Sequence, residues 1–430
     1  MYDSTLNVVR KPLPSQKEAL SFWRGIATRC NYFFIIVLIF TLNAKAQELA
    51  IDIPKAYPSD HGVDERKILD LVAWIESNKQ IPIYSLLISR NGNLILELYT
   101  SNIERDDSHY LMSVTKSVLS TLVGIAVDKK IISSENLPLN ELISPHLFKI
   151  EKYKNNFKNI TLKDVMGMAA LDLSDPPRDN SPRAIAIQKN YLNSPNRFTF
   201  VLESPTQSRG PKKLKYNDQT PALASGILSY SSGKSAYDFA KTHLFDPLGF
   251  KNSEWMHQDK TGINMGGYGL RLRPIDMQKL GILYLQNGVW NNAQIMSKEW
   301  VDKTSNPYIG YGGNPVYGYF WWFNDYGSKL KFQEANGWKG QRISFNRDKG
   351  IVVTMTACIE NNKEEEVFKK IMNDFIIPAL DPVNKSAHIK NYDNIVTKAK
   401  NSRSRIDNSV ESRMVPSIEN KEVPQAFIAN

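Results

Sequence analysis

Leu111-Met112-Ser113-Val114-Thr115-Lys116-Ser117-Val118-Leu119 opens a long apolar segment that continues to about residue 127. Read as a helix, the segment places Ser113 and Lys116 on one face, because residues three apart are surface neighbours at about 3.6 residues per turn. A serine hydroxyl needs an adjacent base to attack a carbonyl, and a lysine in apolar surroundings loses its proton more readily than one in water. The stretch therefore predicts a serine nucleophile that does not depend on histidine.

The Ser-x-x-Lys spacing recurs at Ser231/Lys234 and at Ser328/Lys331. The first of these pairs ends in a Ser-Ser-Gly turn and the other lies among charged residues, so both are predicted to lie in solvent-exposed turns or helices. For Ser113 the alternative is likewise a solvated helix or turn. The apolar surroundings, and not the spacing, favour Ser113 as the reactive residue.

The formal net charge of +10 is concentrated at the ends of the chain. Residues 1–46 contribute +4 and residues 385–430 contribute +3, which leaves +3 for residues 47–384. Because the charges of residues 47–384 are nearly balanced, they give little support for binding to nucleic acid or to an acidic membrane surface. The sequence also lacks His-Glu-x-x-His, paired Cys-x-x-Cys and a Gly-rich Lys-Ser/Thr loop. We therefore expect no nucleic acid partner, no metal and no other cofactor.

A Ser-His-Asp triad is not indicated, because the chain has no Gly-x-Ser-x-Gly elbow. Four histidines occur in no recognisable motif and are interpreted as surface or capping residues: His109, His146, His243 and His257.

The N-terminus has the pattern of an export signal. Arg24 and Arg29 precede an apolar run over residues 32–42, and Ala44 and Ala46 fit a small-x-small cleavage site. We predict that residues 1–46 are removed after Ala46 and that the body is exported, in a periplasmic location. The alternative is an uncleaved N-terminal segment anchored in the membrane by residues 32–42 and their neighbours. After cleavage Cys358 is the one remaining cysteine, so no internal disulfide is expected.

Strand patterns occur near both ends of the predicted domain, residues 47–384. A helical pattern over 63–77 precedes two apolar runs, 82–89 and 94–99, which flank Asn91-Gly92 and predict a hairpin. Strand patterns return at 317–322, 342–345 and 350–355, before a helix over 363–375. The middle has helical patterns at 161–169, 220–232, 235–244 and 274–287.

These patterns predict an α+β fold, in which one antiparallel sheet is built from N- and C-terminal segments and flanked by helices, with an inserted mainly helical region. Residues 385–430 have few clustered apolar residues and are predicted to form a flexible tail.

Several segments, in order, resemble the serine β-lactamase and penicillin-binding protein superfamily, in the branch of class C β-lactamases, D-alanyl-D-alanine carboxypeptidases and family VIII esterases. The resemblance covers roughly residues 60–380 and implies a β-lactamase/transpeptidase-like fold. The matching segments are Ser113-Val114-Thr115-Lys116-Ser117, residues 160–166, Tyr216-Asn217-Asp218, residues 244–250, residues 266–271, residues 317–322 and Gly337-Trp338-Lys339-Gly340-Gln341.

The resemblance implies a role for each matching residue. Ser113 would be the nucleophile that accepts the acyl group, and Lys116 would help to deprotonate it. Tyr216 is similar to the tyrosine of the Tyr-x-Asn motif, which shares proton transfer with the lysine. The backbone N–H groups of Ser113 and Gln341 would form an oxyanion hole.

The remaining site residues, implied to bind substrate, are Asp218, Trp338, Lys339 and Gly340. Trp338-Lys339-Gly340 resembles the Trp-x-Gly variant of family VIII esterases.

Two positions depart from the family pattern. Asp218 replaces the motif asparagine, so an amide donor is lost and a carboxylate that can pair with Lys116 is gained. Trp338 replaces the lysine that usually meets a substrate carboxylate. Lys339 and Arg342 are close in sequence, but strand alternation decides whether either faces the site. Both departures weigh against a proficient β-lactamase.

The sequence therefore predicts an exported serine hydrolase that forms an acyl-enzyme through Ser113 on a small-molecule carboxylic ester or small amide. The first alternative is a D-alanyl-D-alanine carboxypeptidase or transpeptidase, or a weak β-lactamase. The second is a non-catalytic protein of the same fold that binds cell-wall peptides. The presence of Ser113, Lys116 and Tyr216 together argues against this last alternative.

Overall fold

The structure is a computed structural model. It describes residues 52–100, 103–143, 157–173, 181–206, 212–256, 259–311, 314–360, 363–381 and 388–402. The predicted export signal and its cleavage site lie outside these residues. None of the helices in the described part of the chain has both the length and the apolar character needed to cross a bilayer.

A single eight-stranded antiparallel sheet forms the centre of the domain, in the order β2-β1-β13-β12-β11-β10-β9-β8. The thirteen strands of the described residues are β1 Ile83–Arg90, β2 Asn93–Tyr99, β3 His109–Tyr110, β4 Glu254–Trp255, β5 Leu270–Leu272, β6 Val289–Trp290, β7 Ala293–Gln294, β8 Ile309–Tyr311, β9 Asn314–Gly318, β10 Trp321–Asn324, β11 Phe332–Gly337, β12 Gln341–Asn346 and β13 Ile351–Ala357.

Helices occupy both faces of this sheet. The α-helices of the described residues are α1 Glu65–Ser77, α2 Val114–Asp128, α3 Leu139–Leu142, α4 Leu162–Met166, α5 Pro182–Asn193, α6 Arg197–Leu202, α7 Pro221–Ser232, α8 Ala236–Ala240, α9 Asp246–Leu248, α10 Pro274–Leu285, α11 Lys298–Thr304, α12 Glu364–Lys370, α13 Ile377–Ala379 and α14 Tyr392–Ser402. The α+β prediction is confirmed, with β1 paired to β13 and so joining the two ends of the domain.

The predicted hairpin is confirmed and shows why Asn-Gly is a strong turn signal. Asn91 and Gly92 connect β1 to β2 with φ values of 51° and 81°. A two-residue hairpin turn of this hand needs positive φ at both positions, which asparagine and glycine adopt at the lowest cost. The hairpin then presents β1 to β13, where Ser85 and Thr356 share a hydrogen bond of 2.7 Å between their hydroxyl groups.

Each face of the sheet covers its own apolar core. On one face Leu87, Ile343 and Val352 pack with α2, α7 and α10. On the other face Leu86 and Val353 pack with α1 and with the helical segment after β13. Alternate side chains of β1 and β13 therefore enter different cores, which fixes the strand register because a slip of one residue would exchange the faces.

The single strand predicted over 317–322 is wrong. β9 ends at Gly318, β10 begins at Trp321, and Tyr319 and Phe320 form the turn with φ values of 52° and 64°. Aromatic residues rarely adopt positive φ, so the sequence does not mark the turn. Tertiary contacts hold it instead, since the Phe320 N–H donates to the Met166 carbonyl at 2.7 Å.

The predicted flexible tail is corrected for residues 388–402, because α14 lies within them and packs on α1. Tyr392 is buried and its hydroxyl donates to the Ile95 carbonyl at 2.9 Å. The buried Glu65 carboxylate accepts from the Ile389 N–H at 2.5 Å and from the Ser59 hydroxyl at 2.6 Å. Burial alone would raise the pKa of Glu65, but these donors outweigh it and lower the pKa below its ordinary value.

Candidate active site

Ser113 lies immediately before α2, where the chain turns from β3 into the helix. Met112 has a φ of 47°, in the left-handed region, so the turn into Ser113 is tight. The Leu111 N–H donates to the Leu270 carbonyl at 2.9 Å and anchors the turn. Ser113 therefore lies at the N-terminal end of a 15-residue helix, where the helix dipole favours developing negative charge.

Lys116 lies one turn along α2 and its side chain is 1% exposed. Its Nζ is 2.8 Å from Ser113 Oγ, 2.6 Å from Asp218 Oδ1 and 2.9 Å from the Gly267 carbonyl oxygen. The helical juxtaposition of Ser113 and Lys116 is thus present. Burial alone would lower the pKa of Lys116, but the Asp218 carboxylate and Tyr216 outweigh it and raise the pKa above its ordinary value.

Asp218 and Tyr216 reach the site from the segment that leads into α7. The Asn217 side chain caps this segment, accepting from the N–H groups of Gln219 at 3.1 Å and Thr220 at 2.7 Å. The capping asparagine fixes the backbone between its two neighbours, which is the local reason that both side chains point to Lys116.

Tyr216 packs beside the ammonium group and under two other aromatic side chains. Lys116 Nζ lies 5.0 Å from the centre of the Tyr216 ring. The ring contacts Trp322 at 5.3 Å and Tyr317 at 5.9 Å between centroids. The structure therefore brings Ser113, Lys116, Tyr216 and Asp218 together. Trp322 was not among the predicted site residues, because an aromatic residue in a strand is usually a core residue.

The Trp338-Lys339-Gly340 segment forms a tight turn between β11 and β12. A Cβ atom at Gly337 would lie only 2.4 Å from the Leu111 carbonyl oxygen, so this turn lies against the segment that carries Ser113. The Gln341 side chain is locked, since its Nε2 donates to the Ala357 carbonyl at 2.6 Å. This hydrogen bond fixes the position of Gln341, and its role in an oxyanion hole stays a prediction.

Arg342 does not replace the lysine that the resembling family has at position 338. Arg342 contacts Phe368 and Glu365, which lie on the face of the sheet opposite α2, and also lies near Glu334. Lys339 folds back so that its Nζ lies 4.9 Å from the Trp338 ring centre. Trp338 packs in an apolar cluster that includes Met112, beside the nucleophile.

The structure also settles the other sequence candidates in the described residues. Lys234 lies on the surface and Ser328 lies in a turn, as predicted for the two other Ser-x-x-Lys pairs. Cys358 is buried. His109 is not a surface residue, since it is 4% exposed and stacks on Tyr84 with centroids 5.6 Å apart. Within the described ranges, no cluster of side chains could hold a metal ion.

Comparisons with known proteins find relatives at low sequence identity. The 6-aminohexanoate-dimer hydrolase of Paenarthrobacter ureafaciens is 21% identical over 225 residues, which cover 51% of this chain. The aligned part spans only 56% of that enzyme's length.

Solved structures share the fold at low sequence identity. EstCE1, described as a hydrolase with promiscuous acyltransferase activity, gives a TM-score of 0.57 at 10% identity, over 74% of this chain and 98% of that one. The class C beta-lactamase from Rhodobacter sphaeroides gives a TM-score of 0.53 at 14% identity, over 73% and 99% respectively. These likenesses show the β-lactamase and transpeptidase-like fold.

A sequence model described as Beta-lactamase matches residues 65–371, which is more than two thirds of the chain and includes every residue of the candidate site. The chain therefore belongs to the Beta-lactamase family of serine hydrolases.

Proposed function

We propose that the protein hydrolyses a carboxylic ester or a small amide through an acyl-enzyme on Ser113. The observation that carries this proposal is the 2.8 Å separation between Lys116 Nζ and Ser113 Oγ in a buried polar site. A nucleophile and a base within hydrogen-bond reach, with the base held by a third group, is the arrangement that nucleophilic catalysis requires.

In the proposed reaction, Ser113 Oγ bonds to the substrate carbonyl carbon and its proton moves to the Lys116 and Tyr216 pair. The carbonyl oxygen gains the electron pair and is received by the N–H groups of Ser113 and Gln341. Collapse of this intermediate breaks the bond to the leaving group, which departs with the proton. Water then repeats the sequence on the acyl-enzyme and releases the acid.

The charges around the site favour a substrate that carries no carboxylate next to the scissile bond. Lys339 covers the Trp338 ring, and Arg342 contacts groups on the opposite face of the sheet. The half-buried rings of Tyr216 and Trp322 supply an apolar wall beside Lys116. An ester or amide that carries no carboxylate next to the scissile bond therefore suits the site better than a D-Ala terminus.

Among amides, 6-aminohexanoate dimer is a reasonable first candidate, because it is the compound named for the 6-aminohexanoate-dimer hydrolase relative. The peptidoglycan alternative and the binding-protein alternative remain as outcomes of the test.

Intact-protein mass spectrometry tests the proposal directly. The protein and its Ser113→Ala variant are incubated with p-nitrophenyl acetate and butyrate, 6-aminohexanoate dimer, a penicillin and a D-Ala-D-Ala peptide. We expect a Ser113-dependent acyl adduct or turnover with the esters or the dimer. A stable adduct with penicillin alone would favour peptidoglycan chemistry, and no adduct with any compound would favour a binding protein.

Export belongs to the same proposal and is supported by the sequence alone, through Arg24, Arg29 and the apolar run over residues 32–42. N-terminal sequencing of the protein recovered from a periplasmic fraction tests it. A mature N-terminus at Gln47 is expected, whereas an intact N-terminus in a membrane fraction would indicate the anchored form.

A further inference from the structure

Oxygen atoms of four residues make hydrogen bonds with Lys116 Nζ, and they differ in what they can exchange with it. Asp218 Oδ1 at 2.6 Å and the Gly267 carbonyl oxygen at 2.9 Å can only accept a hydrogen bond. Ser113 Oγ at 2.8 Å and the Tyr216 hydroxyl can either accept or donate. The environment of the amine is therefore asymmetric, with two fixed acceptors and two hydroxyl groups of either kind.

This asymmetry determines which proton Lys116 loses. In the ammonium form, the three N–H groups are shared among these four oxygens. In the neutral amine, Asp218 and the Gly267 carbonyl still require one N–H each, so the lone pair is left facing the hydroxyl groups of Ser113 and Tyr216. Deprotonation of the lysine thus creates a base that is already oriented toward the nucleophile and its partner in proton transfer.

We propose that Asp218 is a positioning residue with two effects, which rest on the proposed function. Together with the Gly267 carbonyl it orients Lys116 toward Ser113. Through its charge it also keeps Lys116 protonated up to a higher pH than a neutral residue at position 218 would. The motif asparagine of the resembling family could serve the first effect with its amide oxygen, but not the second. The departure at position 218 therefore concerns the pH range of the reaction.

These residues gain and lose no proton overall in the acylation step. The Ser113 hydroxyl proton passes to the Lys116 lone pair as the bond from Oγ to the carbonyl carbon forms. The same proton leaves on the alcohol or amine when the bond to the leaving group breaks. Asp218 exchanges no proton in this step, so it acts only through Lys116.

Other titratable groups near Asp218 do not account for a pH dependence near neutrality. Tyr191 on α5 and Tyr268 beside Gly267 both interact electrostatically with Asp218. Burial is the main cause that raises the pKa of each tyrosine well above its ordinary value, so both stay neutral in this range. The Arg197 guanidinium lies near both tyrosines and lowers their pKa values by less than burial raises them. Tyr216 contacts the same ammonium group and is the remaining partner in proton transfer.

The first experiment measures kcat/KM against pH with p-nitrophenyl butyrate for the wild-type protein, Asp218→Asn and Asp218→Ala. For Asp218→Asn we expect the midpoint of the acidic limb to fall by about one pH unit or more, because an acceptor is kept and a charge is lost. For Asp218→Ala we expect a plateau about 100-fold lower, because the orientation of Lys116 is lost as well. Asp246→Asn is the matched control, since Asp246 is 60% exposed and pairs with Lys241 instead.

The second experiment needs no substrate, so it separates failure of this inference from failure of the proposed function. The titration of Lys116 is followed by NMR of the side-chain carbon next to Nζ in lysine-labelled protein, with Lys116→Arg to assign the signal. Asp218→Asn should lower the midpoint by about one pH unit or more. Asp218→Ser carries the same expectation if the asparagine variant misfolds.

Unchanged midpoints in both experiments would overturn the inference. So would an Asp218→Asn variant as inactive at every pH as Ser113→Ala, because Asp218 would then be the proton acceptor itself.

Discussion

Gly337→Ala tests whether the end of β11 sets the width of the oxyanion site. The new Cβ would lie 2.4 Å from the Leu111 carbonyl oxygen and 2.9 Å from Gln341 Cβ, whereas ordinary contacts begin at 3.4 Å. Because the first clash is with backbone, β11 and the Leu111 segment must separate by about 1 Å, and a misplacement of that size typically costs about 100-fold in rate. Loss of one oxyanion donor has a similar effect, about 3 kcal/mol of transition-state stabilisation.

The assay is the rate of Ser113 acylation by p-nitrophenyl acetate, measured before the steady state, together with thermal unfolding. We expect acylation by Gly337→Ala to fall by about 100-fold. Gly281→Ala is the matched control, because its Cβ also has a 2.4 Å clash, with Val352 in the core, and is expected to reduce stability without slowing acylation. If Gly337→Ala acylated at the wild-type rate, the oxyanion site would not lie between Gln341 and Ser113.

Three further predictions concern other parts of the molecule. Ser113→Ala and Lys116→Ala should each reduce kcat by about 10³-fold or more, and the double variant should be little worse, because the two residues act as one unit; additive losses would contradict this. Trp322→Ala should raise KM for p-nitrophenyl butyrate by about fivefold, through loss of about 1 kcal/mol of aromatic contact, with Trp322→Phe restoring most of it; an unchanged KM would remove Trp322 from the substrate wall. Glu65→Gln should lower the free energy of unfolding in urea by about 1–3 kcal/mol at pH 7. Because folding lowers the pKa of Glu65, the contribution of its carboxylate to the free energy of unfolding is present above the unfolded pKa of about 4.3 and is lost as the pH falls through the folded value. A difference in the free energy of unfolding between the two proteins that persisted at pH 2 would contradict this.

The core of the site could be predicted because its geometry is local. Ser113 and Lys116 are neighbours on one helix, so their separation follows from helical periodicity once the apolar segment is identified. The possible pairing of Asp218 with Lys116 followed from charge and from the family motif, although 102 residues separate the two. The Gly267 carbonyl could not be predicted as a ligand of Lys116, because a backbone oxygen leaves no signature in the sequence.

The errors have two physical causes. The turn at Tyr319 and Phe320 is imposed by contacts with α2 and α4, where the Ser117 hydroxyl donates to the Phe320 carbonyl at 2.7 Å, so its local sequence resembles a strand. Helix α14 was not predicted, because the few clustered apolar residues of 385–430 counted for more than the helical spacing of those that are present. Tyr392 and Val396 are four residues apart and form one apolar stripe toward α1, which is typical of an amphipathic surface helix.

The pairing of β1 with β13 determines the order in which the protein can assemble. Ser85 and Thr356 meet across 271 residues, so the hairpin made first has an open edge until the last strand of the sheet has been synthesised. A hairpin alone is marginally stable, and long-range pairing of this kind folds slowly. Ser113, Lys116 and Tyr216 all precede β11 in the chain. A nascent chain therefore contains its reactive residues long before it has the sheet that makes them reactive.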